Sequence, residues 1–280
     1  MAKTTNISWT DRTFNPWIGC TKVSEECRYC YAEDVARKPT INVAWGPGKQ
    51  RRPASEAKWR ELVRWNQEAE KKGVRIKVFC ASMADVFDKE APPGALEQLF
   101  DTIRQTPHLD YQLLTKRPEL IERLLRGIGV WDCLPLSNVW LGFTAGNQES
   151  FDKRWPLIRD TPAAVRFCSY EPALGPMLLP EDTQGRLHWF ICGGETHPKK
   201  YEGRRMNPDW ARSLRGQCAR KGIAFFFKQW GNWIPQGDSV DWHGKTSGVF
   251  EQFGDILDGV RWSQFPNPNT STPENQHFAA

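Results

Sequence analysis

The sequence lacks long apolar runs. No stretch reaches the roughly 18 consecutive apolar residues of a membrane-spanning helix, so none is expected. The opening residues, MAKTTNISWTDRTFN, contain no apolar core of the kind a secretory signal needs. The chain therefore reads as cytoplasmic. In that setting its eight cysteines are not expected to form a disulfide framework. A strong charge bias is also missing. The net charge is +5 and the pI about 8.8, short of the pI above about 9 that marks a nucleic-acid footprint. This balance permits an anionic partner without specifying one.

What is present in excess is tryptophan, with 14 residues. Tryptophan packs cores, and it also stacks on bases and fills interface pockets. Charged and hydrophobic residues, at 25% and 39%, are ordinary for a globular protein. A chain of 280 residues can bury one substantial core.

Short apolar runs alternate with helical patterns. The runs are Ile76–Cys80, Tyr111–Thr115, Val139–Thr144, Val165–Ser169, Trp189–Cys192 and Ala224–Lys228. Continuous apolar runs of this length suit buried parallel strands. Between them, Ser55–Lys72 places Trp59, Leu62 and Val63 on one helical face, Ala95–Gln105 does so with Leu96, Leu99, Phe100 and Ile103, and Pro118–Arg126 with Leu120, Ile121, Leu124 and Leu125. A further helix starts at Asn207 as N-cap with Pro208 behind it, and Gly222 stops it. The pattern predicts an α/β fold, as a partial (β/α) TIM-like barrel of parallel strands, with a doubly wound sheet as the alternative. Either fold puts function at the C-terminal ends of the strands. Residues 1–266 form the expected barrel domain, with the cysteine loop at its start and a C-terminal extension. Residues 267–280 lack apolar pattern and read as a flexible tail. Residues 38–54, with Gly, Pro and four basic side chains, read as a solvated surface loop.

Cys20, Cys27 and Cys30 lie within eleven residues. Three thiolates so placed meet at one centre only if the chain loops. The six residues between Cys20 and Cys27 supply that loop, and the Cys27-x-x-Cys30 pair closes it. Thiolates are soft ligands that suit iron–sulfur clusters or zinc. No fourth cysteine lies nearby, which points to an iron left open for a cofactor or substrate. A structural zinc would take four protein ligands, with His108 or a distant cysteine completing the set. A dithiol redox motif would use Cys27 and Cys30 alone, and inert buried thiols are the plain alternative. Cys80, Cys168 and Cys192 fall within strand runs and read as core residues.

The segment NPWIGCTKVSEECRYCY, Asn15–Tyr31, resembles the opening of a phage-associated family called three-Cys-motif proteins, grouped with radical S-adenosylmethionine (SAM) enzymes. LLTKRPE, WLGFTAGNQ, SYEPALGPM, ICGGE, FFFKQWG and LDGVRWSQFP follow that family's pattern in order along nearly the whole chain. The resemblance implies a radical SAM-type partial barrel. It implies a [4Fe-4S] cluster on Cys20, Cys27 and Cys30, with SAM on the fourth iron and reductive SAM cleavage to a 5′-deoxyadenosyl radical. A separately encoded partner protein is also plausible on this resemblance. The commonest superfamily motif separates its first two cysteines by three residues. The gap here is six, which leaves the cluster intact but transfers no substrate class.

The strand ends then supply candidates. Gly193, Gly194 and Glu195 resemble a glycine-glycine-glutamate that holds the SAM amino group, although they follow a later strand than usual. Ser169 and Glu171, and Asn147 with Gln148, are placed to meet a SAM ribose. Ser82 and Asp85 are placed to face its methionine end. Helix caps and ordinary βα turns are the competing reading of each. Lys116, Arg117 and Lys228 are cations for a carboxylate or phosphate, and Trp230 and Trp17 are stacking platforms. Together these suggest a nucleotide or nucleic-acid substrate, with salt bridges and core packing as the alternative. A non-catalytic binding module braced by an iron–sulfur or zinc centre, and a SAM-independent redox protein, complete the functional alternatives.

Overall fold

The computed structural model describes residues 5–196, 203–236, 241–244 and 254–267. The strands are β1 (Arg12–Thr13), β2 (Trp17–Ile18), β3 (Arg52–Pro53), β4 (Ile76–Cys80), β5 (Leu109–Thr115), β6 (Val139–Thr144), β7 (Val165–Tyr170), β8 (Trp189–Gly193), β9 (Ala224–Gln229), β10 (Trp233–Gln236) and β11 (Asp241–Gly244). The helices are α1 (Tyr31–Ala36), α2 (Glu56–Lys72), α3 (Ala95–Gln105), α4 (Ile121–Gly127), α5 (Gln148–Ile158) and α6 (Pro208–Lys221).

The main sheet has seven strands in the order β1-β4-β5-β6-β7-β8-β9. The order rises steadily along the chain. A doubly wound sheet reverses order at a switch point, so that alternative is excluded. Sequential parallel strands with β1 and β9 as unjoined edges are the connectivity of a partial (β/α) barrel. Strands β6 and β8 are buried along their whole length, which is why they read as continuous apolar runs.

The chain divides into two compact units whose segments alternate in sequence. One comprises residues 1–23, 32–143 and 160–164, and the other residues 24–31, 144–159 and 165–280. In the first, β1 pairs with β4 through Arg12↔Val78, and β4 with β5 through Ile76↔Leu109. Trp9 packs on Phe79 and Phe14 on Trp59. Helix α2 buries Trp59, Leu62, Trp65 and Ala69 and leaves Val63 exposed, contrary to the expected face. At about 100° per residue the buried stripe centres near Leu62, and Val63 falls outside it.

In the second unit, β7 pairs with β8 and β8 with β9. The edge of β9 is covered by the C-terminal extension. Phe227 N–H donates to the Trp262 carbonyl, Gln264 N–H donates to the Phe225 carbonyl, and Phe265 packs on Trp189. An edge so covered cannot template pairing with another chain. Helix α6 starts and stops where Asn207, Pro208 and Gly222 predict. Apart from Asn267, the expected tail lies outside the described residues. No helix among the described residues is long and apolar enough to cross a membrane.

His188 gives this unit a pH dependence. Its Nδ1 accepts the Arg166 N–H at 2.9 Å. Burial and the nearby Arg166 charge lower its pKa from the ordinary histidine value. The unfolded chain therefore takes up the proton first. Stability is full above the unfolded histidine pKa, about 6.5, and declines as pH falls from there toward the folded value. Urea denaturation at a series of pH values should show this slope, flattened in His188→Asn.

Candidate metal centre

Cys20 lies in the first unit, just beyond β2. Gly19 N–H donates to the Met83 carbonyl, and the Cys20 carbonyl accepts from Gly46 N–H, so the backbone on both sides of the thiol is anchored. The thiol faces a charged network. Arg117 Nη1 donates to Cys20 Sγ at 3.5 Å, and Nη2 donates to the Thr21 carbonyl at 2.7 Å. Asp85 holds this guanidinium at 2.9 Å. Burial works against charge on Arg117, but Asp85, Cys20 and Asp88 together outweigh it, so the guanidinium stays protonated. Asp85 is itself fixed by the Thr115 hydroxyl at 2.6 Å and by the backbone N–H groups of Phe87 and Lys116 at 3.0 and 2.9 Å. Burial, with Asp85 adding to it and Arg117 opposing, pushes the Cys20 thiol up to about 11. A metal on this sulfur would have to displace the proton, as metals on thiols do.

Thr21 is held from a second side. Arg51 Nη2 donates to its hydroxyl at 2.7 Å and bonds Glu90 at 2.6 Å, while Nε reaches Asp88 at 2.9 Å. The Arg51 side chain is wholly buried. The expectation that the basic residues of 38–54 are merely solvated is therefore wrong for Arg51. Pairing of β3 with β2 draws it inward.

Cys27 and Cys30 lie in the second unit. A turn of 3-10 helix, Glu25–Cys27, precedes Cys30, and Ser24 Oγ lies 3.8 Å from Cys27 Sγ. Two acidic side chains anchor this stretch. Glu26 is buried, accepts from Arg154 Nη1 at 2.9 Å and accepts from Gly146 N–H at 3.0 Å. Burial raises its pKa, but Arg154, Ser24 and the Gly146 amide overcome that and hold the carboxyl at about 2. A Cβ on Gly146 would stand 2.8 Å from Glu26 Cγ and 2.7 Å from the Pro172 carbonyl oxygen, so only glycine admits this approach. Glu25 accepts from Arg204 Nη1 at 2.8 Å. Arg204 also grips Glu195 through Nε and Nη2, at 2.8 and 2.5 Å, and lies over the Tyr29 ring.

The other sequence candidates divide by what they already hold. Asp85, expected at the SAM methionine end, orients Arg117 instead. Arg117, expected to meet substrate, is turned onto Cys20. Ser82 bonds the Asn15 side chain at 3.1 Å. Asn147 is the N-cap of α5, in a reciprocal capping box with Ser150. Glu195 is buried against Arg204. Gly194 is a close-approach glycine, since a Cβ would lie 2.0 Å from the Trp230 carbonyl oxygen. Trp230 is 5% exposed, packs on Phe227 and donates its indole N–H to the Ile256 carbonyl. Trp17 is fully buried. Both tryptophans are core residues rather than stacking platforms. Lys228 and Glu171 pair at 2.6 Å, both partly exposed, with Gly193 against Glu171. Ser169 is buried and its carbonyl accepts from Ala145 N–H. The Lys116 side chain is half-buried.

All eight cysteines are free thiols. Among the described residues no three His, Cys, Asp or Glu side chains are grouped to hold a single metal ion. A cluster differs, because its cysteines bind separate irons.

A family described as "Protein of unknown function (DUF5131)" matches residues 4–266. The chain belongs to this family. No curated protein matches the DUF5131 chain. Among solved structures, spore photoproduct lyase complexed with dinucleoside spore photoproduct is similar at 11% identity and a TM-score of 0.48, over 90% of this chain and 73% of that one. A double mutant of the lyase, with bound AdoMet and dinucleoside spore photoproduct, is similar at 12% identity and a TM-score of 0.44, over the same shares.

Several residues that shape this DUF5131 site carry little sequence signal. Arg51, Arg154 and Arg204 meet their partners across long chain separations. Only the adjacent pair Glu25-Glu26, inside the cysteine segment, hints that cations are needed there. Arg204→Ala should release Glu25 and strip buried Glu195 of its guanidinium, leaving it the backbone N–H of residue 204 as a donor. Each charged hydrogen bond lost is worth about 1.5–3 kcal/mol, and local opening follows that cost. Iodoacetamide alkylation of the metal-free protein, read by mass spectrometry, should speed up at Cys27 and Cys30 by about tenfold or more, with Cys20 unchanged.

Proposed function

We propose that the protein is a radical SAM enzyme whose [4Fe-4S] cluster is held by Cys20, Cys27 and Cys30. The observation that carries this reading is the buried Arg117 guanidinium aimed at Cys20 Sγ, the first of three free thiols within eleven residues. The donor chemistry fits. Three free thiols suit iron–sulfur ligation, and a buried guanidinium compensates the negative charge that thiolates bring. When bound, the cluster supplies the electron that cleaves SAM, and the cofactors carry the radical chemistry.

The chain's own residues bind and orient. Arg117 and Arg51 hold the Cys20 side of the segment. Glu25 and Glu26, through Arg204 and Arg154, hold the Cys27 and Cys30 side. For SAM we retain Ser169, Gly193 and Glu171, with Lys228 as Glu171's partner, at the C-terminal ends of β7, β8 and β9. The side chains of Asp85, Asn147 and Glu195 are committed elsewhere and drop out of the SAM-binding set. The substrate we propose is a nucleotide or nucleic acid, with Lys116, which follows β5, as the remaining candidate cation; the net charge of +5 permits such a partner without specifying it. Arg117 and Trp230 no longer support it.

Anaerobic reconstitution tests this reading. Iron and sulfide should both be stoichiometric with a cluster. Dithionite and SAM should then yield 5′-deoxyadenosine. Stoichiometric zinc with no brown chromophore would overturn the proposal in favour of a zinc-braced binding module. For the substrate class, labelled single- and double-stranded oligonucleotides should bind at low salt and release as salt rises. No binding at low salt would reject nucleic acid.

A further inference from the structure

We infer that Arg117 and Asp85 form a charge pair that sets the reduction potential of whatever centre Cys20 ligates, with Arg117 raising it and Asp85 lowering it. The inference rests on the reading of Cys20 as a cluster ligand and goes beyond it, because it assigns positioning residues that the resemblance does not supply. The geometry is specific. The guanidinium is buried, with both terminal nitrogens engaged, one on Cys20 Sγ and Asp85 and the other on the Thr21 carbonyl. Four donors converge on the Asp85 carboxylate, from Thr115, Lys116, Phe87 and Arg117. The carboxylate is thus rigid and holds the guanidinium toward the sulfur.

Reduction adds one negative charge to the centre. A cation that donates to a ligating sulfur stabilises the reduced state more than the oxidised one, so it raises the potential. Hydrogen bonds to sulfur, local charge and solvent exposure are recognised levers on cluster potentials. Burial leaves both charges little screened by salt. The carboxylate acts with the opposite sign, near the same sulfur. Other charges stand close by. Asp88 and Glu90 face Arg51, which bonds the Thr21 hydroxyl. They are common to all variants below, so the differences report the Arg117–Asp85 pair.

The test is an anaerobic redox titration of the reconstituted full-length protein, followed by electron paramagnetic resonance of the reduced cluster. Arg117→Gln should shift the midpoint to more negative values. At the wild-type midpoint its ratio of reduced to oxidised cluster should fall on the order of tenfold. Asp85→Asn should shift the midpoint the other way. Arg117→Lys, which keeps the charge and loses the fork, should fall between wild type and Arg117→Gln.

A purely structural role for the pair predicts lower cluster occupancy without shifts of opposite sign. Iron and sulfide content measured on the same samples separates the two cases. Normal occupancy with midpoints unchanged in all three variants would overturn the inference and leave the radical SAM reading intact. Failure of the wild-type protein to form a cluster would overturn both. If Asp85→Asn does not fold, the order wild type, Arg117→Lys, Arg117→Gln still decides. Equal midpoints along it reject the inference.

Discussion

Cys27→Ala protein, reconstituted anaerobically, is expected to hold no stable [4Fe-4S] cluster and to release no 5′-deoxyadenosine from SAM under dithionite. Cys27 is 8% exposed and small, so alanine fits the site with little repacking and the chain should still fold. The loss would be chemical rather than structural, because one of three thiols is removed and no fourth cysteine lies within the segment to replace it. Changing a residue outside a metal's direct ligands typically costs roughly 10–100-fold. Removing a direct ligand should exceed that, with a fall of at least about 100-fold in 5′-deoxyadenosine. Cys133 is exposed and provides the control. Cys133→Ala should match wild type in iron, sulfide and product. Equal product from Cys27→Ala and Cys133→Ala would sink the assignment of Cys27.

The second large effect concerns the fold of the cysteine segment. Arg154→Ala strands the Glu26 carboxylate in the interior. The two side chains are 7% and 2% exposed and lie 2.9 Å apart. Breaking a buried pair by removing one partner costs about 3–5 kcal/mol. For a chain of this size that is a fall in Tm of roughly 10 °C. Arg154 also donates to the Thr144 carbonyl at the end of β6, so that acceptor loses a partner too. Glu26→Gln should cost less, since an amide oxygen can still accept from Arg154 and from Gly146 N–H. Glu26→Leu combined with Arg154→Met should recover much of the loss, because matched apolar replacement removes both charges together. Gly146 N–H would keep the Ser150 hydroxyl as acceptor at 3.0 Å. Thermal unfolding of the four proteins checks the order. If Arg154→Ala were as stable as wild type, the pair would not anchor the segment.

Strand positions were readable where burial on both faces left a mostly apolar run. Ile76–Cys80 and Val139–Thr144 match β4 and β6 residue for residue. The edge strand β1 was not readable, because Arg12–Thr13 is two residues long and polar. Helix α6 was readable because its start and stop are local chemistry at Asn207, Pro208 and Gly222. Val63 was misplaced because it lies just past the Trp59 edge of the buried stripe on α2, a difference in angle that a short apolar pattern does not resolve.

By itself the sequence determined the α/β class, most strand positions, the caps of α6 and the three-thiol segment, because each depends on neighbours a few residues apart. Only the tertiary structure decided that the strands run in sequential order rather than reversing at a switch point. It also decided which charges meet. Glu26 and Arg154 are 128 residues apart in sequence, Glu25 and Arg204 179, and Cys20 and Arg117 97. No periodicity spans such distances. Whether a buried cation faces a thiol, a carboxylate or a substrate is settled by which βα turns the sheet brings side by side. That is why Arg117, a substrate cation by its place after a strand, is in the folded chain a partner of Cys20.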